Sequence, residues 1–190
     1  EVLEDDLALN PEQRERLARI ERASHDMTHL TSALLHLARE ESALPKENCN
    51  MARVVRESVE KYRSLNQDRS LDIDLEIQND VELPVARILA IVVVDNLIGN
   101  AFQHSASARI EVRLARESLV IRDTGMGIAA EALDQVFLRR QRGTHSTGAG
   151  IGLSLVKRIC DLNGWETRID SVAGQGTEVS LHFQPRAISI

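Results

Sequence analysis

Aromatic residues make up only 3 % of the 190 residues, so the chain has few of the stacking surfaces that single-stranded nucleic-acid binders use. Positive charge is in deficit as well: 23 Lys and Arg against 29 Asp and Glu leave a net charge of −6. That balance argues against a nucleic-acid-binding surface as the main business of the protein. The two cysteines, Cys49 and Cys160, are far apart and form no CxxC pair. They read as reduced thiols rather than as a disulfide or a metal site. The longest apolar run, Ile88 to Val94, stops after seven residues at Asp95. No segment is therefore expected to span a bilayer as a helix, and no charged-then-apolar leader marks a signal peptide. The chain begins at Glu1 rather than methionine, so it is expected to be a piece of something longer, with any membrane anchor in the missing part.

What is present is the balance of a soluble globular protein, 43 % hydrophobic and 27 % charged. Asn10-Pro11-Glu12-Gln13 reads as a helix start, with a cap residue followed by proline at the first helical position. From there Leu17, Ile20, Ala23, Met27, Leu30, Leu34 and Leu37 recur at steps of three and four, one apolar stripe on a long helix. Such a stripe needs a partner, which points to half of a hairpin or a bundle shared between two chains. Pro45 ends that region and divides the chain into 1–44 and 45–190.

The second part alternates in type. An amphipathic helix is expected over roughly 51–66, with Val54, Val55, Val59 and Tyr62 on its apolar side. Leu71 to Ile77 alternates as a half-buried strand, and Pro84 is expected to open a helix that runs to about Gln103. Two further strands, 108–115 and 118–122, form a hairpin. A glycine-rich stretch over 123–152, a helix over 151–162 and strands over 166–172 and 177–183 complete the order. This predicts an α+β fold, an α/β sandwich with helices on one face of a mixed, mainly antiparallel sheet.

The chemistry sits in five ordered segments. Asn96, Asn100 and His104 are spaced four apart on one face of an otherwise apolar helix. Asparagine is a poor interior helix residue, and a carboxamide oxygen can hold a hard divalent cation without adding charge. The same residues could equally be satisfied by loop backbone. Asp123-Thr-Gly-Met-Gly-Ile128 follows a strand. Its glycines allow close approach of a ligand and its carboxylate can accept from an exocyclic amine, although it also reads as a capped turn. Gly148-Ala-Gly-Ile-Gly152-Leu153 runs into a helix whose free amides could cradle phosphates. It lacks both the Rossmann context and the Walker ending. Arg139, Arg140 and Arg142 precede it, and Gly174-Gln-Gly-Thr177 leads into the last strand.

In that order the Asn/Asn helix, DxGxG, Phe137, GxGxG-helix and GxGT resemble the N, G1, F, G2 and G3 boxes of histidine kinase ATPase domains, over about residues 50–184. The resemblance implies the Bergerat (GHKL) ATP-binding fold, shared with gyrase and MutL-type ATPases. Asn100 would hold Mg²⁺ with Asn96 near the metal and phosphates, and Gln103 and His104 would complete that helix's contribution. Asp123 would read the adenine amine while Gly125, Gly127 and Ile128 line the base pocket. Arg142 would reach the phosphates from a lid, Gly148, Gly150, Ile151, Gly152 and Leu153 would cradle them, and Thr177 would support the adenine side. The stripe from Met27 to Arg39 looks like the second helix of the dimerisation hairpin of sensor histidine kinases. This implies a homodimer, a cognate response regulator and a cytoplasmic domain of an inner-membrane sensor.

Three features depart from the family. Gln103 stands where lysine is frequent, Arg140 occupies the second aromatic position after Phe137, and Ser24-His25-Asp26 lacks the downstream proline pair of a phosphoacceptor. His25 lies off the apolar stripe, and His29 and His36 have weaker claims still, so the acceptor histidine is expected to lie before residue 1. The alternatives are a GHKL serine kinase or a degenerate nucleotide-binding or dimerisation platform.

Overall fold

The computed structural model describes residues 10, 13, 16, 20, 31, 48–65, 71–105, 109–133 and 152–183, with the backbone alone at 131 and 132. The chain divides into two compact units, Glu1–Leu44 and Pro45–Ile190. In the first, Gln13, Arg16, Ile20 and Thr31 are helical. The helix start expected at Asn10 is a reciprocal capping box: the Gln13 N–H donates to Asn10 Oδ1 at 2.8 Å and the Asn10 N–H to Gln13 Oε1 at 2.9 Å. Ile20, a member of the apolar stripe, is exposed within the single chain.

The second unit runs β1 (Asn48–Asn50), α1 (Met51–Ser64), β2 (Asp72–Ile77), β3 (Glu82–Pro84), α2 (Arg87–His104), β4 (Arg109–Leu114), β5 (Ser118–Asp123), α3 (Ala130–Leu133), α4 (Gly152–Asn163), β6 (Trp165–Val172) and β7 (Gly176–Phe183). Five strands form one sheet in the order β2-β4-β5-β7-β6. Among the described residues only β2 and β4 pair in parallel, and α2 lies in the crossover between them, as a parallel pair requires. The mixed, mainly antiparallel sheet with packed helices is the expected fold class. Among the described residues no helix is long and apolar enough to cross a membrane.

One expectation at this level fails. Pro84 does not open α2; it ends β3, which pairs antiparallel with β1 through Asn48↔Pro84, Cys49↔Leu83 and Asn50↔Glu82. Lacking an N–H, proline is tolerated on such a short edge strand, and α2 starts three residues later at Arg87. Asn50 ties this small sheet to α1. Its Oδ1 caps the helix by accepting the Arg53 N–H at 2.8 Å, while its Nδ2 donates to Asp80 and Glu82.

α2 is buried on most sides because it packs against α1, α4 and β5, which explains its nearly uniform apolar sequence. Toward α1 it presents Asp95 at its one buried acidic position, paired with Lys61 Nζ at 2.7 Å. The Tyr62 hydroxyl donates to the Asp95 carbonyl at 3.1 Å, and a side chain at Gly99 would meet that hydroxyl at 2.6 Å. Lys61→Met should cost about 1–2 kcal/mol in urea denaturation. The loss removes the lysine from a buried carboxylate, but the lysine is itself 31 % exposed, so the pair is partly screened. Asp95→Leu combined with Lys61→Met should recover part of that loss.

Candidate functional site

The sheet register shows where the apolar face turns polar. Reading across β4, β5, β7 and β6, one row is Val112, Ile121, Val179 and Ile169. The next row out is Ile110, Asp123, Thr177 and Ser171. Directly paired residues point to the same side of a sheet, so three polar side chains end a largely apolar face. Asp123 is buried. Burial pushes its carboxyl above the ordinary aspartate value, opposed chiefly by the backbone N–H groups of Gly125 and Thr177. The Gly125 N–H reaches Oδ1 at 2.8 Å.

The loop after Asp123 is pinned from two directions. On one side the Met126 N–H donates to the His104 carbonyl at the end of α2, at 3.3 Å. On the other, Met126 O accepts the Gly174 N–H at 2.7 Å and the Ile128 N–H donates to Ser171 Oγ at 2.8 Å. These contacts draw backbones together where only glycine fits. A Cβ at Gly125 would lie 2.3 Å from the His104 carbonyl oxygen, and one at Gly176 would lie 2.0 Å from that of Asp123.

The asparagine face of α2 meets the start of α4. Asn96 Nδ2 donates back to the Val92 carbonyl at 2.6 Å, which turns its oxygen away from its own helix. A Cβ at Gly152, the first residue of α4, would stand 2.4 Å from that oxygen. One turn on, Asn100 Nδ2 is buried with no hydrogen-bond partner among the described residues. Among the described residues no group of three His, Cys, Asp or Glu could hold a metal.

Residues 86–187 match the model of the family described as histidine kinase-, DNA gyrase B-, and HSP90-like ATPase. The chain belongs to this family. It is a GHKL-type catalytic ATP-binding domain, homologous to those of two-component sensor histidine kinases. The sensor histidine kinase YkoH of Bacillus subtilis is 31 % identical over 172 residues, covering 83 % of this chain and 36 % of that protein. The sensor protein QseC of Salmonella typhi is 32 % identical over 121 residues, covering 62 % and 27 %. The solved mycobacterial sensor histidine kinase MprB superposes with a TM-score of 0.64 at 25 % identity, covering 73 % of this chain and 96 % of that one. The chain spans between about a quarter and a third of the length of these two curated relatives.

Within this histidine kinase domain the expected site residues fall into two groups. His104, Asp123, Gly125, Gly127, Ile128 and Thr177 gather at the polar end of the sheet, and Asn96 meets Gly152 at the α2–α4 junction. Asn100 lies one turn beyond Asn96, Leu153 is half-buried in the first turn of α4, and Gln103 is exposed. Arg142, Gly148, Gly150 and Ile151 lie outside the described residues, as do Phe137, Arg139, Arg140, His25, His29 and His36. Sequence reasoning missed Ser105, and above all Ser171. Ser171 faces Thr177 across the Gly174-Gln-Gly176 turn, and the six-residue spacing across that hairpin was the available signal.

Proposed function

We propose that this domain binds ATP with Mg²⁺ and supplies its γ-phosphoryl group to a histidine nitrogen outside residues 45–190. From there it would pass to an aspartate of a cognate response regulator. The observation that carries the reading is the Asn96–Gly152 approach, which joins the asparagine helix to the head of the glycine-opened helix. The residues fit the nucleotide. Asn100 is a neutral carboxamide whose amide nitrogen is buried without a partner among the described residues, and the glycines at 125 and 152 allow the close approaches to His104 and Asn96 that set the two ends of the site.

In this reading Asn100 holds the metal, with Asn96 beside it, and the N-terminal amides of α4 face the phosphates. Bound magnesium would neutralise phosphate charge and align the transferred group. Asp123 accepts from the adenine amine, and its pinned loop keeps water from the base. Catalysis is then mostly positioning. Residues 1–44 would be the C-terminal part of the dimerisation hairpin, and the whole protein a homodimeric membrane sensor.

Calorimetry with ADP, with and without Mg²⁺, tests the site. The wild-type chain should bind ADP more tightly with the metal, and Asn100→Ala should lose about tenfold of the metal-dependent affinity. Absence of any binding would instead favour a degenerate dimerisation platform. Transfer from γ-labelled ATP to a separately supplied hairpin carrying the acceptor histidine tests the kinase activity.

A further inference from the structure

We infer that Ser171 is a specificity-determining positioning residue: it fixes the proton of the Thr177 hydroxyl, so that the pocket offers two acceptors to an exocyclic amine. The inference rests on the nucleotide-site reading above and goes beyond it, because Ser171 itself need touch no ligand.

A serine hydroxyl has one proton and two lone pairs. Ser171 Oγ has three partners, the Ile128 N–H at 2.8 Å, the Gly176 carbonyl at 2.9 Å and Thr177 Oγ1 at 2.9 Å. The amide can only donate and the carbonyl can only accept. Ser171 therefore gives its proton to Gly176 and takes one from Ile128. One lone pair remains for Thr177, which must donate into it. The Thr177 proton is thereby committed, and its oxygen is left as an acceptor.

Thr177 stands between Ser171 and Asp123 in one cross-strand row. Asp123, when ionised, is also acceptor-only. The row thus turns two acceptors toward a base edge, which suits an amine with two protons and disfavours a carbonyl oxygen in its place. A buried acceptor left without a donor is what makes such discrimination strong. Without Ser171 the Thr177 hydroxyl can turn and donate, and the distinction weakens.

ADP and IDP share sugar and phosphates and differ at this edge, so their dissociation constants on the full chain test the idea. Wild type should prefer ADP. Ser171→Ala should narrow the ADP-to-IDP preference by about tenfold, weakening ADP while IDP holds or gains. Ser171→Thr, which keeps the hydroxyl, should restore the wild-type ratio. Ser171→Cys keeps the volume with a weakly bonding group; it must also narrow the ratio and carries the test if the alanine variant does not fold. Equal weakening of both nucleotides, with the ratio unchanged, overturns the inference alone. Failure of the wild type to bind either one overturns the nucleotide-site reading and this inference with it.

Discussion

Gly127→Ala is expected to lose about 4 kcal/mol of stability, and nucleotide binding with it, whereas Gly174→Ala should lose only about 1 kcal/mol. Both glycines have positive φ, 63° and 78°, so the left-handed strain of a side chain is common to both. What differs is the space. Around Gly174 a Cβ would meet nothing within 4 Å, but at Gly127 it would lie 2.0 Å from the carbonyl oxygen of Val172. That oxygen cannot simply retreat, because it accepts the Gln175 N–H at 2.9 Å within the β6–β7 turn. The turn in turn donates from Gly174 to Met126, the neighbour of Gly127. Displacing one strand end therefore breaks the bonds that hold the other. Urea denaturation of the two variants decides the matter. Costs within 1 kcal/mol of each other would mean that close approach is not what demands glycine at 127.

The same distinction explains what could be read from the sequence alone. Gly125, Gly127, Gly152 and Gly176 answer to steric demands that no other residue meets, so their spacing recorded the site in the sequence. Val54, Val55 and Val59 of α1, and the alternation along β4 and β5, recorded local packing periods. The β1–β3 pair left no such trace. Its strands are three residues long, too short for a period of two to register, and so Pro84 read as a helix start. Lys61 and Asp95 are 34 residues apart, and only the packing of α1 on α2 joins them. Asn96 announced itself as an asparagine in an apolar helix, but its partner, Gly152, comes from the other side of the fold. Ser171 was hidden in a different way. It looks like an ordinary polar residue on an alternating strand, and its part depends on hydrogen-bond direction rather than residue type.

Asp123→Asn is expected to lower ADP affinity about 100-fold at neutral pH, while leaving the ligand-free protein at least as stable as wild type. The two effects come from one carboxyl and have opposite signs. Burial raises its pKa in the folded state above the unfolded value of about 3.9, so the folded protein holds this proton more tightly. The stabilisation this gives is fully present below the unfolded value and is lost as pH rises through the folded one. At neutral pH the wild type thus carries a buried charge that asparagine does not. Acidification through that window should close the stability difference between the two proteins. Over the same window the wild type should lose affinity for ADP, because the protonated carboxyl no longer offers a charged acceptor to the amine. Denaturation at pH 7 and pH 4, with and without ADP, reads both effects at once. A variant clearly less stable than wild type at pH 7 without ligand would show that the carboxylate is held for the fold. Full stability together with lost binding would show that the fold tolerates its charge for the sake of the ligand.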